Sequence, residues 1–225
     1  SSNSNGSITS TVQVDPSGCF SIITYTGDGS NSVFTVGHGL SAKPTFIIAK
    51  DREQTRNWSV WSQQLNDGSP ADGDTLYLNT TDGETDQAGS WDVSNITSTL
   101  IGGVDGGFLN TGTNKQLFYA FTDCEGYIKS GSYVGNGDGS NGTFIYTGFR
   151  PAWVLTKRLT TNSWRIQDNA MDTYNPAYHV LKPQSTAAQD AYTDGTDYND
   201  FLSNGFKVAR GGDAANFNAS GETYV

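Results

Sequence analysis

The sequence predicts an all-β protein, a tandem of two similar antiparallel β-sandwich units of jelly-roll-like form. Three observations lead there: an internal repeat, a high density of turn dipeptides, and short runs of β-branched and aromatic residues without helical periodicity. The repeat is read directly. Tyr25-Thr26-Gly27-Asp28-Gly29, Gly39-Leu40, Pro44-Thr45-Phe46-Ile47-Ile48-Ala49-Lys50 and Asn57-Trp58-Ser59-Val60 return as Tyr133-Val134-Gly135-Asn136-Gly137, Gly148-Phe149, Pro151-Ala152-Trp153-Val154-Leu155-Thr156-Lys157 and Ser163-Trp164-Arg165-Ile166. The offset drifts by only a few residues, as loops change length.

Residues 1–10 are Ser, Asn and Gly with little to bury, and are expected to form a flexible arm or linker. Repeat 1 is expected over 11–124 and repeat 2 over 125–225. Runs rich in β formers place strands at 20–25, 33–36, 45–50, 58–61, 75–78, 99–101 and 116–122, and again at 128–133, 143–146, 152–157, 164–167, 179–181, 201–208 and from 223 onward. Between them Asp28-Gly29, Asp67-Gly68, Asp72-Gly73, Asp82-Gly83, Asp105-Gly106, Asp138-Gly139 and Asp194-Gly195 supply residues tolerant of positive φ, as tight turns need. At most one or two helical turns are expected, at 185–192.

In each copy the strand after the proline is apolar on both faces, so it is expected to be covered on both sides. In the next strand Trp58 and Val60 share one face, which by the two-residue period turns Trp61 outward, where a large aromatic meets another surface. Aligning Asn110 with Asn218 sets Leu117 opposite Val225, so 118–123 find no counterpart. The second copy is expected to carry an incomplete last strand, its open edge filled by further chain or by another subunit.

The net charge of −10 comes without any cationic stripe, which argues against nucleic acid or an anionic membrane as partner. No apolar run reaches the roughly 18–20 residues of a membrane span, so no membrane insertion is expected. Cys19 and Cys124 bracket the first repeat. Neighbouring first and last strands leave a disulfide open, but the expectation is two buried thiols.

Catalytic groups are sparse. His38 lies between two glycines and reads as a turn residue, His179 has no acid at useful spacing, and no Gly-x-Ser-x-Gly elbow occurs. Glutamates are limited to Glu53, Glu84, Glu125 and Glu222, which gives no local signature for a glycosidase pair. Two histidines and two distant cysteines make no zinc site, and the oxygen-rich loops at 72–74 and 82–86 lack EF-hand spacing. No catalytic residue, metal or cofactor is expected, and the chain reads as a non-enzyme. Recognition is left, and the loops at 66–74, 82–91 and 172–178 differ most between the copies. The candidate binding residues are Tyr174, Asn175 and Tyr178, which set aromatic faces beside an amide as sugar sites do, together with Trp61 and Trp91. For Trp91 the preferred reading is that it closes one end of its sandwich.

The motifs Phe20-Ser21-Ile22, Gly37-His38-Gly39-Leu40, Lys50-Asp51-Arg52, Tyr146-Thr147-Gly148-Phe149-Arg150-Pro151, Lys157-Arg158, Phe201-Leu202-Ser203-Asn204-Gly205-Phe206-Lys207 and Asn218-Ala219-Ser220-Gly221 resemble a recurrent module of bacteriophage tail-fibre-type proteins, many from aquatic hosts. The resemblance runs from about residue 17 to the last residue. It implies a virion protein, assembled in the host cytoplasm, in a fibre or appendage that attaches to a host glycan or surface protein. Other virion subunits, including copies of itself, would be its partners. A capsid decoration or head-fibre protein and a free carbohydrate-binding module are the competing readings. The chemistry of the module is undefined, so the resemblance carries no site residue across.

Overall fold

The computed structural model describes residues 1–30, 32–65, 73–85, 90–104, 108–191, 197–209 and 217–225. The chain divides into two compact units, one formed by 1–77 with 84–124 and the other by 78–83 with 125–225. Both are antiparallel β, and among the described residues the helical content is a single 3-10 turn at Val93–Asn95. The sheet topology does not reproduce a pair of jelly rolls. The first unit is built on one large sheet and the second on several small ones.

The strands of the first unit are β1 (Ser2–Asn3), β2 (Ser10–Val14), β3 (Phe20–Thr26), β4 (Phe34–Gly37), β5 (Phe46–Asp51), β6 (Ser59–Ser62), β7 (Leu76–Tyr77), β8 (Leu100–Gly103) and β9 (Lys115–Phe121). Seven form a sheet in the order β1-β2-β3-β9-β5-β6-β7, and β4 pairs with β8. The period of two selects the core. Ile23 and Tyr25 of β3, Phe118 and Ala120 of β9, and Ile47 and Ala49 of β5 are buried with Phe34, Val36 and Ile101 of the β4–β8 ribbon. On the other face Phe20, Ile22, Phe46, Ile48, Tyr119 and Phe121 are only half-buried, so β5 is not covered on both sides as its composition suggested.

Trp61 corrects the sequence reading. It is 2% exposed and sits opposite Ile47, in the cluster that also holds Trp91 and Phe118. Cross-strand partners share a face, so the inward position of Ile47 fixes that of Trp61. Val60 on the opposite face is buried as well. Residues 1–10 are not a free arm either: β1 pairs with β2, the Ser1 ammonium donates to the Val12 carbonyl at 2.7 Å, and Ile8 bridges Val36. Gly37 makes room for this. A Cβ there would meet the Asn3 amide at 2.2 Å. Cys19 and Cys124 form a disulfide instead of two thiols, with Cα atoms 5.9 Å apart, because Phe20 at the start of β3 pairs with Phe121 at the end of β9, and the two cysteines lie just beyond those strand ends.

In the second unit the strands are β10 (Tyr133–Val134), β11 (Phe144–Tyr146), β12 (Trp153–Thr156), β13 (Arg165–Asp168), β14 (His179–Val180), β15 (Asp190–Ala191), β16 (Tyr198–Leu202), β17 (Gly205–Ala209) and β18 (Thr223–Tyr224). They pair as β10-β18, β11-β17-β16, β12-β13 and β14-β15. The core gathers Val154, Ala177, Val180, Phe201, Phe206, Val208 and Phe217. Three expectations change here. The run 128–133 gives only the short β10, since Lys129, Ser130, Gly131 and Ser132 have little β propensity. The run 201–208 folds back on itself at Ser203-Asn204 into the β16–β17 hairpin. Residues 185–191 are extended or turn, not helical. The turns expected at Asp67-Gly68, Asp105-Gly106 and Asp194-Gly195, with Asp72 and Asp86 of the oxygen-rich loops, lie outside the described residues.

The repeat reappears as register. Tyr25 pairs with Gln116 as Tyr133 pairs with Tyr224; Ile47 with Trp61 as Val154 with Gln167; Asp51 with Gln116 as Arg158 bridges Tyr224. A side-chain tie recurs too. Asn110 accepts from the Asp28 N–H at 3.0 Å and donates to its carboxylate at 2.7 Å, and Asn218 accepts from the Asn136 N–H at 2.9 Å and donates to its side-chain amide oxygen at 2.7 Å. The Tyr25 hydroxyl donates to the Leu109 carbonyl, and the Tyr133 hydroxyl to the Phe217 carbonyl at 2.8 Å. Lys50 and Lys157 both turn their ammonium groups onto loop carbonyls, of Arg56 and Arg158.

Candidate functional site

The most exposed large aromatic side chain among the described residues is Tyr174, at 84%. It lies in the loop between β13 and β14, and four polar side chains hold that loop in place. At its start the Asp168 carboxylate accepts the N–H groups of Ala170 at 2.9 Å and Met171 at 2.7 Å, a local turn that an Asp at a strand end favours. The Gln167 amide donates to the Ala177 carbonyl at 2.7 Å. Asp172 accepts both the backbone N–H of His179 at 2.8 Å and its ring Nδ1 at 2.7 Å. Asn175 grips the backbone of Phe201 from both directions, donating to its carbonyl at 3.0 Å and accepting its N–H at 2.9 Å.

The peptide bond from Asn175 to Pro176 is cis, and Ala177 returns to the sheet by pairing with Asn199. Tyr178 is half-buried, its ring edge-on to Tyr198 with centroids 5.7 Å apart. Of the three residues singled out in this loop, Tyr174 alone presents a free ring. Asn175 spends its amide on Phe201, and Tyr178 packs against a neighbour. An aromatic held on an immobilised loop offers a stacking face at little entropic cost, which suits a sugar ring or an apolar side chain.

The two tryptophans do not join this site. Trp61 is in the core, and Trp91 is 0% exposed, its Nε1 donating to Thr75 Oγ1 at 2.8 Å and its ring 5.8 Å from that of Phe118. Both are ruled out as surface contacts by burial. Asp92 beside Trp91 caps the 3-10 turn; burial pushes its carboxyl up, but hydrogen bonds from Ser94 and Asn95 prevail and hold it below the usual carboxylate range.

Sequence reasoning missed the Asp172–His179 pair. The two are brought together by a closed loop, and no strand or helix period spaces them. The carboxylate binds the ring and the backbone N–H of the same histidine, the geometry of a loop tie. His38 is buried, accepts the Leu40 N–H at Nδ1, and faces the Thr97 carbonyl through Nε2 at 3.3 Å, which assigns the proton to Nε2. Burial pushes its imidazole below the ordinary value. Among the described residues no three His, Cys, Asp or Glu side chains gather as a metal site would require.

A groove of about 220 Å³ on the first unit is lined by Thr9, Thr11, Thr24, Tyr25, Thr26, Arg52 and Lys115. It is smaller than the roughly 300–1,000 Å³ of small-molecule sites. Its Lys115 ammonium already pairs with Glu53 at 3.2 Å.

A family model described as a domain of unknown function (DUF7483) matches residues 1–225. The chain belongs to this family. Comparison with curated proteins returned no match, and comparison with solved structures returned none.

Proposed function

We propose that the chain is a non-enzymatic structural module of a bacteriophage tail fibre or similar appendage, and that the Tyr174 loop contacts a glycan or protein on the host surface. The observation that carries the recognition part is the pairing of a fully offered ring with an immobilised base: Tyr174 stands out while Asp168, Asp172, Asn175 and Gln167 fix the backbone beneath it. The recurring Asn110–Asp28 and Asn218–Asn136 ties support the finer fold reading, two descendants of one sandwich module. Resemblance of the motifs supports the word bacteriophage.

Assembly with other virion subunits, as in a capsid decoration protein, is the second reading. Tyr146, Phe144 and Trp153 favour it, since these large apolar side chains are exposed in the second unit. Trp61 no longer contributes to it. Immunogold labelling of intact particles with antibody raised against the chain separates the two. Label at the tail or fibre tip is the expected result; label spread over the capsid supports decoration, and particles without label refute both.

A further inference from the structure

We propose that the core of the second unit binds ordered water between Gln167 and Asn199, a buried polar site in the places where the first unit packs two tryptophans. The registers identify those places. Ile47 pairs with Trp61 as Val154 pairs with Gln167, so Gln167 stands where Trp61 does. Gly39-Leu40 returns as Gly148-Phe149, so Val36 matches Ile145, and their partners Ile101 and Phe206 match each other. Two residues further on, Gly103 bridges Trp91 and Val208 pairs with Asn199, which sets Asn199 in the place of Trp91.

Both amides are inside. Gln167 is 1% exposed and Asn199 0%, and each shares its face with core residues: Gln167 with Val154 across the β12–β13 pair, Asn199 with Phe201 along β16. They converge on one group, the Ala177 carbonyl, which accepts from Gln167 Nε2 at 2.7 Å and from the Asn199 backbone N–H at 3.3 Å. Yet Gln167 Oε1 and both polar atoms of the Asn199 side chain, Oδ1 and Nδ2, are buried with no hydrogen-bond partner among the described residues. Turning the Asn199 amide over satisfies neither atom, and turning that of Gln167 sets its oxygen against the Ala177 carbonyl.

Water is the ligand that fits. Gln167 Oε1 and Asn199 Nδ2 are an acceptor and a donor that do not bond each other, the arrangement a bridging molecule completes. Water donates to the two amide oxygens and accepts from the amide nitrogen, and a buried water typically makes about three such bonds. Volume points the same way. Two amides in place of two indoles free space, while Phe206 and Phe217, at the positions of Ile101 and Leu109, take back part of it. The net room is therefore small, on the scale of water, and its polar lining favours hydration over an empty cavity. Gln167 and Ala177 flank the loop that carries Tyr174, so the bound water ties the base of that loop to β16. The inference goes beyond the proposed function and holds whatever Tyr174 meets.

The test measures water-to-amide cross-relaxation by NMR in the 225-residue chain with isotope-labelled Asn and Gln side chains. Cross-peaks from water to the Asn199 amide protons are expected, with laboratory-frame and rotating-frame effects of opposite sign, as for water held far longer than surface hydration. In Asn199→Leu, which removes the amide while keeping its bulk, the water signal at the Gln167 amide is expected to be lost. The parent chain decides alone if that variant does not fold. No water signal at Asn199 in the parent chain, or an undiminished one at Gln167 in folded Asn199→Leu, would overturn the proposal.

Discussion

Trp61 and Tyr174 look alike in the sequence, aromatic residues beside polar ones, yet one is core and the other is surface. The difference lies in what stands opposite. Trp61 faces the same side as Ile47 because the β5–β6 register makes them partners, whereas Tyr174 belongs to a loop with no strand opposite it among the described residues. Trp61→Ala is expected to lower stability by about 3–5 kcal/mol, the usual cost of emptying a buried tryptophan site, as read from urea denaturation. A loss below about 1 kcal/mol would mean that the ring is not core. Sequence reading fails at this position for a physical reason. The period of two states that Trp61 and Val60 oppose each other, but it cannot say which face is inside when both residues are apolar.

At the scale of elements, strands with clear alternation were legible to within a residue or two. Phe20–Thr26, Phe46–Asp51 and Lys115–Phe121 fall where β-branched and aromatic residues cluster. What was not legible depended on partners distant in sequence. The pairing of Ser2–Asn3 needs the edge of β2, the disulfide needs β3 beside β9, and the loss of strand at 128–132 shows that a repeated position does not carry a repeated propensity. Of the candidate site, the exposed tyrosine was legible, while the Asp172–His179 and Asn175–Phe201 ties that immobilise it were not.

The recurring tie differs in one atom type, and that difference has a consequence for acid stability. The N–H of Ser30 and then the Asn110 amide hold the Asp28 carboxyl below its ordinary value of 3.8, whereas Asn136 at the equivalent place does not titrate. A folded-state pKa below the unfolded one contributes stability that is present above the unfolded value and lost as pH falls through the folded value. Asp28→Asn should therefore be less stable than the parent chain near neutrality, with the gap closing on acidification below 3.8. Urea denaturation of both proteins across that range checks it, and a gap independent of pH would show that the carboxylate contributes nothing beyond its shape.

For the whole molecule, the two units repeat registers and ties while differing in loops and sheet completeness, so the scaffold and the surface it displays are separable. That is the physical sense in which a duplicated β module can serve recognition, with the buried ties setting geometry and a loop such as 168–179 meeting the partner. The most direct measurement compares the chain and its Tyr174→Ala variant on an array of bacterial surface glycans and on intact bacterial cells. The account predicts binding by the parent chain that falls at least about tenfold in the variant, with an unchanged unfolding midpoint, because an exposed ring contributes to contact and not to the core. Equal binding by the two proteins, or no binding by the parent chain to any glycan or cell surface, would contradict it.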